Sequence, residues 1–318
     1  MDSAIALGKR IYDVRKGREA RRCVIFILRC WLNRGRMRKL DAYFHTTPLL
    51  AAVAASYPFV YEQPTRAFFY HRSTFDERIR LVEEHMTFLA RRFLPEVVAG
   101  IYQGKGYLLW ESLFEEKPLR IELSFDPGQR KEGLLSVVLH WDDAALYQMI
   151  FWIAKDGAGA WTLWIGAMQG PNLGDAKDVI KRLTKSCHGF RTKNLILYAT
   201  QAVARAMGIA RILAVTNEGY YANNHVRLDR KLKTNFSDFW QETGGWETSD
   251  PRFDELPLTE ERKTMEEVPT RKRAVYRRRF ALMDEIDTAI TAGMQGLFRL
   301  TESFTDKSVP ASGENRTD

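Results

Sequence analysis

The chain lacks most of the features that point directly to a function. It has three cysteines in 318 residues, Cys23, Cys30 and Cys187. Their spacing fits neither a disulfide framework nor a zinc site, so they read as reduced, partly buried thiols. No apolar run approaches the ~18 residues a membrane span needs; the run CVIFIL at 23–28 follows two arginines and is closed by Arg29. Lys9, Arg10, Arg15, Lys16 and Arg18 break the apolar stretches near the start, so no secretory signal is read there and the expected compartment is the cytoplasm. The histidines stand at 45, 71, 85, 140, 188 and 225, with no pair at i, i+3 or i, i+4, which argues against a metal site on a helix. No GxGxxG, GxxxxGK[ST], GxSxG or kinase pattern occurs, which removes the usual sequence support for nucleotide, hydrolase and kinase chemistry.

What the chain does have is apolar residues for a core and an uneven charge. With 45% hydrophobic and 28% charged residues, it can fold as one large domain or two smaller ones. Residues 1–40 carry 12 Lys+Arg against 3 Asp+Glu, a balance of +9, so the remainder of the +8 chain sums to −1. RKRAVYRRRF at 271–280 adds six positive charges and no negative one. Such clusters suit an anionic membrane surface or nucleic acid, because neutralised phosphates release counterions; they are also what a solvated helix face looks like.

Periodicity divides the chain. Residues 1–40 form a basic amphipathic helical arm, with Val24, Ile27, Leu28, Trp31 and Leu32 recurring at spacings of three and four. Packing of that stripe onto the main domain and attachment to a membrane surface are both open readings. A single α+β domain is expected over 41–300: a helical lead-in at 41–100, a sheet core at 105–217 and C-terminal helices at 225–300. The helix at 73–94 has its stripe through Ile79, Val82, Met86, Leu89 and Phe93. From 105 to 170 the period falls to about two, predicting five antiparallel strands in a meander. Two helices, at about 175–187 and 193–207, then lead to the strand ARILAVTN, a crossover to a parallel strand. PRFDELPLTEE reads as a loop, and a helix interrupted near Pro269 follows. The tail at 302–318 is polar and predicted to be disordered.

Between the two crossover helices lies KSCHGFRTKN. A glycine there permits close backbone approach, and helix-start amides with Arg191 and Lys193 make a concavity suited to phosphate. Lys185, His188, Gly189, Arg191, Lys193 and Asn194 are the candidate ligand-binding residues; a solvated basic turn is the alternative. His225, in a polar loop after a strand, is the candidate acid or base. His140 with Asp142 and Asp143 is a weaker candidate, since Asp-Asp is also ordinary turn chemistry.

Five stretches carry a family resemblance: IGAMQGP at 165–171, IKRLTKSCHGFRTKNLIL at 180–197, AVTN at 214–217, FWQETGGW, and LPLTEERKTMEEVPTRKRAVYRRRFALMD at 256–284. Together they resemble the VirK/YbjX family of Gram-negative bacteria, over roughly residues 40 to 290. The resemblance implies a cytoplasmic or inner-membrane-associated protein tied to virulence, envelope stress and resistance to cationic antimicrobial peptides. It brings no reaction and no catalytic residue. The order of meander, helix closing in AVARAMG and strand ARILAVTN also resembles the centre of a GNAT-type N-acetyltransferase, in which amides at the start of the central helix hold acyl-CoA pyrophosphate. The Q/R-x-x-G-x-G/A signature of that fold is missing, and a helix precedes the loop.

Two expectations result. One is an acyl-CoA-dependent transferase acting on an envelope component, with His225 or a strand carboxylate as base. The other is a non-catalytic factor docking on anionic membrane, nucleic acid or a protein partner through its basic segments. A cleft where the parallel strands splay beside residue 188 favours the first; a gap filled by side chains favours the second.

Overall fold

The computed structural model describes residues 4–224 and 235–299; His225 and the tail at 302–318 lie outside them. The lead-in is helical as periodicity predicts: α1 (Ala4–Ile11), α2 (Gly17–Leu32), α3 (Arg34–Phe44), α4 (Pro48–Ser56), α5 (Phe59–Glu62), α6 (Phe75–Arg92) and α7 (Pro95–Tyr102). Helix α6 starts at a capping box, in which the Glu77 amide donates to the Thr74 hydroxyl (3.2 Å) and the Thr74 amide to the Glu77 carboxylate (2.6 Å). Its Val82, Met86 and Leu89 are buried, as is Phe93 just past its end.

The meander is β1 (Tyr107–Phe114), β2 (Lys117–Ser124), β3 (Leu135–Trp141), β4 (Ala144–Lys155) and β5 (Trp161–Gln169). Helices α8 (Ala176–Ser186) and α9 (Thr192–Ala206) cross over to β6 (Arg211–Val215), which lies parallel to β5. After α10 (Phe236–Glu242) come β7 (Trp246–Glu247) and β8 (Phe253–Leu256), and α11 (Arg273–Leu297) closes the described chain. The sheet order is β1-β2-β3-β4-β5-β6-β8-β7, antiparallel except for β5 and β6. The fold class is therefore α+β, an open, mostly antiparallel sheet with one parallel pair.

Residues Met149–Ala154 of β4 are buried without interruption, so the sheet centre is covered on both faces rather than one. Helix α6 packs on β4, and α9 packs on β3, β4 and α11. The small side chains of α9 let it sit close: Leu195 to Ala204 are all buried.

Two sequence readings differ from the structure. FDEL, read as part of a loop, is β8; it pairs with the free edge of β6 and buries Phe253, Asp254 and Leu256. The C-terminal helix does not start before Pro269 but at Arg273, because the residue preceding a proline is driven out of helical geometry.

The basic arm is anchored to the domain. Cys23, Phe26 and Cys30 of α2 face inward, and Tyr12 donates to the fully buried Glu62 at 2.6 Å. Arg66 (3.2 Å) and Arg130 (2.7 Å) complete the Glu62 shell, so the buried carboxyl group is paired with two guanidinium groups.

Candidate functional site

The HGFRTKN turn is built mainly from helix-end chemistry. His188 and Gly189 have φ of +55° and +75°. The Gly189 amide donates to Thr184 O (2.7 Å) and the His188 amide to Lys185 O (3.1 Å), the paired bonds of a Schellman cap on α8. From α11, Arg279 donates to the His188 carbonyl through Nε (3.2 Å) and Nη2 (3.1 Å). A Cβ on Gly189 would stand 2.9 Å from that guanidinium, which can shift, but at φ +75° a side chain is strained whatever the space, so the helix cap itself favours glycine here.

The predicted ligand-binding residues point to two different places. Ser186 and His188 border a shallow depression of about 430 Å³ between β1 and α11, with Lys185 exposed nearby. Asn194 lines a cleft of about 340 Å³ beside α10 that also carries Glu242, Glu260 and Glu261, and an entering anion meets those carboxylates. Arg191 is an exposed N-cap 4.0 Å from Glu242. The Lys193 ammonium lies 3.7 Å from the Phe239 ring centroid, and burial lowers its pKa.

The parting of the parallel strands lies elsewhere and is occupied. Gly166 is an extra residue in β5, since Ile150 pairs with Ala167 and Phe151 with Ile165. Pairing between β5 and β6 stops at Ile165 and Ala214, while β5 runs on to Gln169. Glu132 lies across the bulge, where a Cβ on Gly166 would be 1.8 Å from its carbonyl oxygen. Its carboxylate accepts from Gln169 Nε2 (2.6 Å) at the end of β5 and from the Tyr220 hydroxyl (2.7 Å) beyond β6. Burial raises the Glu132 pKa, with the two hydrogen bonds offsetting part of the shift. The gap is thus spanned by three side chains. Sequence reading missed Glu132, which lies in a stretch, DPGQRKEG, with the composition of a plain turn. His140 lies 3.6 Å from Glu122, and no cluster of three metal-ligating side chains occurs among the described residues.

The most exposed apolar surface is on α2. Cys23, Phe26 and Cys30 form its buried line, which leaves Val24, Ile25, Leu28, Trp31 and Leu32 on the outer side. Trp31 is 66% and Leu32 72% exposed. Seven of the eleven exposed large apolar side chains among the described residues fall between residues 5 and 32, a concentration that scatter over the surface does not produce. Arg18 and Arg21 stand on the same outer side, exposed and without a carboxylate partner among the described residues. The acids of this region are already engaged: Asp13 with Arg15 and Lys16, Glu19 with Arg22. Among the described residues this surface is therefore apolar and cationic, with its acids paired to neighbouring bases. Among the described residues no helix is long and apolar enough to cross a membrane.

A protein family described as "Protein of unknown function (DUF535)" matches residues 15–292, which takes in α2 and α3, the sheet and most of α11. The chain belongs to the DUF535 family, of the VirK/YbjX type. Among DUF535 relatives, a protein of Haemophilus influenzae is 28% identical over 291 residues, 89% of this chain and 92% of that one. YbjX of Escherichia coli is 27% identical over 178 residues, 55% of this chain and 54% of YbjX. A Mannheimia haemolytica protein named "Membrane protein LapB" is 25% identical over 193 residues, 59% of this chain and 80% of its own. No solved structure matches the chain at a significant level.

Proposed function

We propose that this DUF535 protein is a peripheral factor of the bacterial envelope that docks on an anionic bilayer through the outer face of α2. The observation that carries the reading is the apolar stripe Val24, Ile25, Leu28, Trp31 and Leu32 exposed beside Arg18 and Arg21, which have no carboxylate partner among the described residues. An interfacial helix works by this pairing: the apolar side chains enter the headgroup region while arginines meet lipid phosphates. Trp31 fits the interface, where an indole buries its ring and keeps its N–H wet. The name of the LapB relative is in keeping with a membrane-linked role. Because Cys23, Phe26 and Cys30 are core residues, deleting the arm would disturb the fold, and surface substitutions are the proper test. The intact chain is expected to sediment with vesicles of phosphatidylcholine and phosphatidylglycerol, and Arg18→Glu with Arg21→Glu to release it. Equal binding to neutral vesicles, or unchanged binding by the charge-reversed variant, would sink the reading.

A second reading, acyl-CoA-dependent transfer to an envelope component, is supported by the parting of β5 and β6 at the Gly166 bulge and by a buried carboxylate with a raised pKa standing there. Bulges and shifted carboxyls concentrate at active sites. In this reading Glu132 takes the acceptor's proton, and Arg191 and Lys193 meet the pyrophosphate. The occupied gap and the acidic cleft beside Asn194 weigh for docking instead. Thermal-shift titration with acetyl-CoA and longer acyl-CoAs decides: no stabilisation, with no effect of Arg191→Ala plus Lys193→Ala, ends the acyl-CoA reading.

A further inference from the structure

A cavity of about 270 Å³ opens between α10 and the β7–β8 hairpin, with Glu218, Glu247 and Asp254 among its walls. Asp254 is only 3% exposed, and its Oδ2 accepts no hydrogen bond from any group among the described residues. Burial raises its pKa, and the charge of Glu247 adds to the shift. The hydroxyls around the cavity do not relieve it. Thr216 donates to Pro251 O at 2.7 Å and Thr248 to Phe253 O at 2.8 Å, and Ser237, whose Oγ accepts from the Asn217 amide at 3.3 Å, makes no hydrogen bond to Asp254 Oδ2. Among the described residues no lysine, arginine or histidine lines the space. The arginines flanking this part of the sheet are committed, Arg252 to Asp250 and Arg211 to Asp156 and Glu255. Among the described residues the cavity is thus lined by three carboxylates and no cation.

Such a site demands a positive ligand, because a buried, unpaired carboxylate is costly unless a cation or a proton neutralises it. A metal ion is the poorer fit, since no three acidic or imidazole ligands among the described residues converge closely enough to hold one. A primary ammonium has three N–H donors that diverge and reach separated acceptors. The space is at the small end for ligand cavities, and the Phe253 and Pro251 walls suit a short methylene chain. We propose that this cavity binds the primary ammonium end of an aliphatic amine, with Asp254 as the central acceptor and Glu247 and Glu218 around it. The same chemistry comes from a free polyamine or from a lysine side chain of a peptide. The proposal stands independently of membrane docking.

Calorimetric titration of the whole protein tests it, with n-butylammonium, spermidine and Nα-acetyl-lysine amide as probes, and n-butanol and calcium chloride as controls. Saturable one-to-one binding of an ammonium probe is expected, with none of n-butanol. Asp254→Asn is expected to weaken binding tenfold or more and, because it removes an unpaired buried carboxylate, to leave the unliganded Tm no lower. Glu247→Gln changes an exposed residue that folding does not need, and should weaken binding severalfold. The stronger of spermidine and the lysine amide identifies the source of the ligand. No saturable ammonium binding, undiminished binding by both variants, or tighter binding of calcium than of any amine overturns the proposal.

Discussion

Replacing Leu28 and Trp31 together by serine separates docking from folding. Trp31 is 66% and Leu28 54% exposed. An aromatic side chain offers about 200 Å², so two-thirds of it at about 25 cal/mol per Å² is roughly 3 kcal/mol, and the exposed half of the leucine adds about 1. If half of that surface enters the interface, the substitution removes about 2 kcal/mol, roughly a thirtyfold loss of partitioning. Both side chains are already in water in the unbound protein, so the change in folding stability should stay within about 0.5 kcal/mol. Sedimentation over a range of lipid concentrations gives the partition coefficient, and thermal denaturation gives the stability. A variant that melts well below the native protein, or that partitions as strongly as it does, would refute this reasoning.

Other expectations concern the interior. His85 is buried, accepts the Ile153 amide on Nδ1 (3.0 Å) and meets Tyr102 through Nε2 (3.1 Å); burial lowers its pKa from 6.5 to about 3. The unfolded chain takes up this proton first as the pH drops, so stability is lost between pH 6.5 and 3, by on the order of 5 kcal/mol at the limit. His85→Gln should flatten that part of the stability profile measured by denaturant titration. Glu132 shifts the other way: its folded pKa lies above 4.5, so stability falls as pH rises above 4.5 towards the raised value, and Glu132→Gln should remove that slope. Gly166→Ala drives a methyl group into the Glu132 main chain and should cost about 3 kcal/mol in a denaturant melt; an unchanged midpoint would mean that the bulge is looser than described.

The meander and crossover were legible because each strand alternates or runs fully apolar between strong turn signals, and α9 because alanines at helical spacing end at Gly208. The β7–β8 hairpin was not. FDEL lies between Pro251 and Pro257 and carries two acids, and only its pairing with β6 makes it a strand. Helix α2 shows why periodicity alone cannot assign a face. It has apolar residues on two sides, and the line that packs contains two cysteines and Phe26, whereas the line with the stronger hydrophobic signature faces outward. For the HGFRTKN turn, residue types gave the charge and the glycine correctly, but the positive φ values serve a helix cap and an Arg279 contact that only the position of α11 reveals. Glu132 and Asp254 gave no sequence signal, because what distinguishes each is its burial and its partners.

The central claim is that the outer face of α2 is the surface that meets the membrane. Quenching of tryptophan emission by phospholipids with brominated acyl chains, in anionic vesicles, tests it most directly. The native protein is expected to lose a component of its emission that is missing from Trp31→Phe, which itself should be quenched little. Equal quenching of the two proteins would place another surface at the bilayer and contradict the account.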